Sequence, residues 1–124
     1  MSLVLFEIRD NIALLTLNNP DKRNMLTLEV CEMIVDYVDQ AEKHPDVKAL
    51  IVTGNGPTFC AGGQLSDITP DKLMLENIYS GFLCIAQCEL PTIAAVNGPA
   101  VGAGFNMAVG CDVRIVTDNA RFEP

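Results

Sequence analysis

The sequence has no tryptophan, one histidine (His44), and only eight lysines and arginines against sixteen aspartates and glutamates in 124 residues. The net charge of −8 argues against nucleic acid and an anionic membrane surface as partners, because both recruit proteins through clustered cations. A small anionic ligand stays open, since it needs only a local cation pair, and Lys22-Arg23 is the one adjacent basic pair. The cysteines, at 31, 60, 84, 88 and 111, are odd in number and lack framework spacing. Cys84 and Cys88 fall one helical turn apart, but there is no second cysteine pair and His44 sits beside Pro45, so no metal site is expected. Met1-Ser2-Leu3 opens no basic-then-apolar leader. Reduced thiols in a cytoplasmic protein are the expectation. No Gly-Lys-Ser or Gly-Lys-Thr occurs, and Gly98, Gly102 and Gly104 are spaced Gly-x-x-x-Gly-x-Gly, which rules out the nucleotide loops of Walker and dinucleotide-binding type. The uncharged stretch from Leu90 to Cys111 holds two prolines, four glycines and two asparagines, so it reads as core and not as a membrane span.

Apolar residues make up 49% of the chain, enough for one domain with a real core. Leu3 to Arg9 and Ile12 to Leu17 read as strands joined by an Asp10-Asn11 hairpin turn. Residues 18–24 are loop by composition. Thr27 caps a helix whose apolar positions Cys31, Ile34, Val35, Val38 and Ala41 recur at three- and four-residue steps, and Pro45 stops it. Ala49 to Thr53 is a continuous apolar strand, read as covered on both faces. A glycine turn follows at Phe59–Leu65, then a helix starting at Thr69-Pro70 and carrying Ile78, Tyr79, Phe82, Leu83 and Ile85. Thr92 to Val96 is a buried strand, Asn97-Gly98-Pro99 a sharp turn, and a helix begins near Ala103. Val113 to Thr117 is the last strand, and residues 118–124 trail off. A hairpin followed by alternating helices and strands implies a largely parallel sheet with helices packed on it.

Such a sheet places ligands at the carboxyl ends of its strands, where both glycine turns, 61–63 and 102–104, fall. The bland alternative is tight helix-on-sheet packing. If the backbone amides of Gly63 and Ala103 face one another across the strand tips, however, a carbonyl oxygen between them receives two preorganised hydrogen bonds. Small residues are required there because a larger side chain would fill the space for that carbonyl.

The turn Phe59–Leu65, the run Pro91–Gly104, Cys111-Asp112-Val113-Arg114-Ile115, and Leu17-Asn18-Asn19-Pro20 with Asn24-Met25-Leu26 resemble the crotonase family, the enoyl-CoA hydratases and isomerases. The resemblance implies an α/β crotonase-like fold, a spiral of ββα units, with residues 1–124 as the N-terminal part of an acyl-CoA-binding domain. It further implies an acyl-CoA thioester whose carbonyl is held by the Gly63 and Ala103 amides, and an enolate-like intermediate. A CoA groove along Ala61, Gly62, Gly63, Gln64, Leu65 and Gly102 is implied, with Lys22 or Arg23 meeting CoA phosphates. CoA is part of the substrate, so no separate cofactor is expected, and the family commonly assembles as trimers or hexamers.

Two departures modify that picture. Asn106 stands where hydratases of the family carry a glutamate, and a carboxamide orients water or substrate but does not exchange a proton. Glu123 is out of register for the second hydratase glutamate, and Asp67 is the other nearby acid. Isomerase-type or other enolate chemistry is therefore expected over hydration. A non-catalytic CoA-thioester-binding paralogue or scaffold subunit is the alternative. The chain is also about half the length of a usual member, which implies an unfinished sheet edge.

Overall fold

Asp10 and Asn11 both lie in the left-handed region, φ 51° and 70°, the backbone twist that matches an antiparallel hairpin. The computed structural model describes residues 2–63 and 72–124. Among these the chain forms β1 (Val4–Arg9), β2 (Ile12–Leu17), α1 (Leu28–Lys43), β3 (Ala49–Gly54), β4 (Cys60–Ala61) and α2 (Lys72–Ala86). Then follow β5 (Thr92–Val96), β6 (Pro99–Val101), α3 (Ala103–Gly110), β7 (Val113–Val116) and β8 (Arg121–Glu123). The expected helix start at Thr69-Pro70 lies outside the described residues.

Strands order as β1-β2-β3-β5-β7 in the larger sheet, antiparallel at β1–β2 and parallel thereafter. Its inward residues are Ala13, Leu15 and Leu17 of β2, Leu50 and Val52 of β3, and Ala94 and Val96 of β5. Against them α1 sets Val30, Ile34, Val38 and Ala41, and α2 sets Ile78, Phe82 and Ile85. The cap of α1 is as expected: Thr27 Oγ1 accepts from the Val30 amide at 3.1 Å.

Several expectations are corrected. β3 is fully buried on one face only, with Ala49, Ile51 and Thr53 half-buried, because α1 and α2 pack on the Leu50–Val52 side. Tyr79 is 50% exposed and Leu83 and Val35 also face outward, since one turn of helix cannot aim adjacent positions at the same core. The unfinished sheet edge is as expected: β7 is the edge strand, with Val113, Ile115 and Val116 exposed, Ile115 at 62%.

The largest difference is a second, three-stranded parallel sheet, β4-β6-β8. It lies where the sequence reads as two turns and a trailing end, and its strands of two and three residues are too short to carry a period. The motif Cys111–Arg114 finds a structural use: the Asp112 carboxylate accepts from the Thr92 amide at 2.9 Å and the Arg114 guanidinium donates to the Cys111 carbonyl at 2.8 Å, closing α3.

The cysteines are free. Burial pushes the Cys60 and Cys84 thiols up to about 12 and those of Cys31 and Cys111 to about 11, from an ordinary 9. The unfolded chain gives up these protons first. Their contribution to stability is thus complete below pH 9 and is lost as pH rises through 11 to 12. The urea midpoint is expected to be flat in this respect up to about pH 8 and to fall steeply beyond about pH 10.

Candidate functional site

Cys60 pairs with Ala100 and Ala61 with Val101, so β4 and β6 end side by side and in step. Each is followed by a glycine in the left-handed region: Gly62 at φ 86° and Gly102 at φ 59°. A Cβ built on Gly102 would meet the Gly62 Cα at 3.6 Å, and one on Gly62 would meet only the Val101 carbonyl oxygen, at 3.9 Å. The two turns therefore run close, with room for about one methyl between Gly62 and Gly102, while a Cβ on Gly63 would press the Ile78 side chain at 3.3 Å. Gly63 and Ala103 come next in each arm.

Ala103 is the first residue of α3, which Gly102 precedes without a side-chain cap. The first amide to bond back into the helix is that of Asn106, to the Gly102 carbonyl at 3.1 Å. The earlier amides have no helical acceptor. Neither the Gly63 nor the Ala103 amide donates to another described residue. Gly104 lets the helix start this close: a Cβ there would lie 1.9 Å from the Cys60 carbonyl oxygen.

The basic pair reaches the same place through its backbone. Pro20–Lys22 form a 3-10 turn, Arg23 and Asn24 follow at φ 55°, and the Arg23 carbonyl accepts from the Ala61 amide at 2.9 Å. Leu26 then donates to the Gly62 carbonyl and bridges Gly63 in parallel. Lys22 and Arg23 are exposed and form no ion pair with a described residue. Arg23 lines a cleft of about 460 Å³ with Ala61, Val101, Arg121 and Glu123. Among the described residues no group of three His, Cys, Asp or Glu could hold a metal, and no helix is long and apolar enough to cross a membrane.

The model of the enoyl-CoA hydratase/isomerase family matches residues 7–124. The chain belongs to the enoyl-CoA hydratase/isomerase family. It is 45% identical to the probable enoyl-CoA hydratase EchA14 of Mycobacterium tuberculosis over 97% of its own length and 49% of the relative's. It is 31% identical to the 1,2-epoxyphenylacetyl-CoA isomerase of Escherichia coli, over 98% of this chain and 50% of that one. Among solved structures, Pseudomonas aeruginosa PA4980 superposes with a TM-score of 0.91 at 34% identity, covering 98% of this chain and 55% of that one. An enoyl-CoA hydratase from Mycobacterium avium superposes at 0.87 and 32% identity, with 98% and 50% covered. The chain spans about half the length of the curated relatives it matches.

In this hydratase/isomerase-family chain, the residues singled out from sequence divide by position. Ala61, Gly62, Gly63, Gly102, Ala103 and the Arg23 backbone converge on the tips of β4 and β6. Asn106 is exposed on α3, and no described residue accepts or donates a hydrogen bond at its side chain. Glu123 pairs with Arg121 at 3.0 Å and turns its carbonyl to the Gly102 amide. Gln64, Leu65 and Asp67 lie outside the described residues.

Sequence reasoning passed over three residues. Arg121 joins the cleft only because β8 pairs with β6. Asn97 Nδ2 donates to the Gly56 and Thr58 carbonyls, and Asn24 is buried with its side chain fully bonded. The run Asn24-Met25-Leu26 carries part of the family resemblance, but nothing in it marks the Asn24 side chain as buried.

Proposed function

We propose that this chain supplies the thioester-binding half of an acyl-CoA enzyme, in which the Gly63 and Ala103 amides hold the thioester oxygen and stabilise an enolate. The observation that carries this reading is the pair of in-step strand tips, each followed by a left-handed glycine and then by an amide with no acceptor among the described residues. As negative charge grows on the oxygen, two fixed donors gain strength without reorganising, which lowers the barrier to removing the α-proton. Ala61, Gly62, Gly102, Gln64 and Leu65 border the pantetheine path in this reading. Arg23, with Lys22 beside it, meets the CoA phosphates as a charge-assisted donor. CoA arrives as part of the substrate, and no separate cofactor is needed.

Asn106 orients substrate or water and moves no proton. Hydration needs two acid/base groups, one for the water and one at the α-carbon, whereas migration carries one proton between two carbons through a single base outside this half. Double-bond migration or another enolate reaction is therefore favoured over hydration. A homotrimer or hexamer in the cytoplasm completes the proposal. The test incubates the intact protein with short and medium enoyl-CoA thioesters and follows hydration and double-bond migration together. Migration exceeding hydration is the expected result. Faster hydration would overturn the Asn106 argument, and tight CoA binding without any conversion would favour a non-catalytic binding subunit.

A further inference from the structure

Asn24 is 1% exposed within a polar loop, and the thioester reading gives it no task. Its side chain is nonetheless fully committed. Oδ1 accepts from the Asn19 amide at 2.8 Å, while Nδ2 lies 3.0 Å from the Asn55 carbonyl, 2.9 Å from that of Thr58 and 3.3 Å from that of Phe59. Two N–H protons thus serve three carbonyl oxygens, on the turn that leaves β3 and on the approach to β4. Loop 19–24, the end of β3 and the start of β4 are joined by this one group.

The backbone on either side continues the same seam. Ala61 donates to Arg23, Leu26 donates to Gly62, both at 2.9 Å, and Leu26 bridges Gly63. Residues 23–26 therefore lie alongside 61–63, tied by two backbone bonds and one isolated bridge, and 61–63 is the arm whose last amide is that of Gly63. Arg23 and Asn24 both sit at φ 55°, a conformation that costs a non-glycine residue energy and persists only when its surroundings hold it. Backbone bonds from Arg23 to Pro20, Asn24 to Asn19 and Met25 to Lys22 close the turn, and the Asn24 side chain ties it to β3 and β4.

We propose that Asn24 is a positioning residue for the Gly63 amide, clamping segment 23–26 against 61–63 so that the N–H keeps its direction toward the thioester oxygen. This rests on the reading of Gly63 as an oxyanion donor. Glycine at position 24 would keep the left-handed backbone and delete the clamp. Aspartate would keep the shape but set an anion against three carbonyl oxygens.

The test uses the intact protein with Asn24→Gly and Asn24→Asp. In amide hydrogen exchange, Ala61 and Leu26 are expected to exchange at least about tenfold faster in either variant, while Leu50, bonded to the Pro91 carbonyl in the larger sheet, keeps its native rate. On a thioester substrate, kcat per folded molecule is expected to fall about 100-fold, the scale of an ångström-sized misplacement, with a much smaller change in KM. Native exchange at Ala61 and Leu26, or equal acceleration at Leu50, would overturn the clamp, as would variants that melt earlier yet keep native kcat. If the native protein turns over no thioester, the oxyanion reading fails by itself, and the exchange rates still decide whether Asn24 holds the Gly63 arm. Should one variant not fold, the other carries both measurements.

Discussion

Replacing Ala103 with proline is expected to lower kcat on an acyl-CoA thioester by about 10²–10³-fold, the usual cost of one lost oxyanion donor, with little change in thermal midpoint. Proline suits the first position of a helix, where its fixed φ is already helical and the missing N–H has no intrahelical partner to lose. Ala103 occupies that position in α3. The preceding Gly102, at φ 59° and ψ −119°, has the mirror image of an extended backbone, so the restriction that proline places on its predecessor falls on a glycine. The substitution thus removes one donor without unsettling the helix, and it sets the ring Cδ where that N–H pointed, so KM is expected to rise as kcat falls. Steady-state kinetics beside a thermal melt will check it: parallel losses in kcat and midpoint would mean that Ala103 acts through stability alone.

Gly104→Ala is expected to act on both. The added methyl would sit 1.9 Å from the Cys60 carbonyl oxygen, 2.7 Å from its carbonyl carbon and 2.8 Å from its Cβ. Those are largely backbone atoms of β4, so no side-chain rotation relieves the clash. Either α3 retreats or β4 shifts, by about 1 Å, and displacement of that size costs catalysis about 100-fold. Stability is expected to fall by about 3 kcal/mol, the upper part of the range for overpacking a core. Chemical denaturation and kinetics on the soluble fraction measure the two effects separately. A variant with native activity and stability would show that α3 has slack against β4.

What the sequence conveyed and what it withheld follow from the range of each interaction. The hairpin at Asp10-Asn11, the stripe Cys31-Ile34-Val38-Ala41 and the strand Ala49–Gly54 are set by neighbours a few residues away, and each is legible from period and turn chemistry. The pairing of β4, β6 and β8 joins Cys60 to Ala100 and Ala100 to Phe122, and strands so short leave no pattern to read. The glycines are legible as turns because a left-handed φ and a missing Cβ are local demands, but they follow β4 and β6 of the second sheet and not the strands 49–53 and 92–96 from which the sequence derives them. Asn24 was opaque for the opposite reason. Its partners are carbonyls 31 to 35 residues away, and nothing nearby separates a structural asparagine from a solvated one. Arg121 entered the cleft by the same long-range pairing.

The most direct measurement is isotope-edited infrared spectroscopy of an acyl-CoA labelled with ¹³C at the thioester carbonyl, bound to the intact protein and to its Ala103→Pro variant. Two converging N–H donors polarise the carbonyl, so its stretch is expected to fall well below that of the free thioester in the native complex and to move back toward it in the variant. A bound carbonyl that vibrates at the free frequency in both proteins would contradict the assignment of Gly63 and Ala103 as the oxygen's donors.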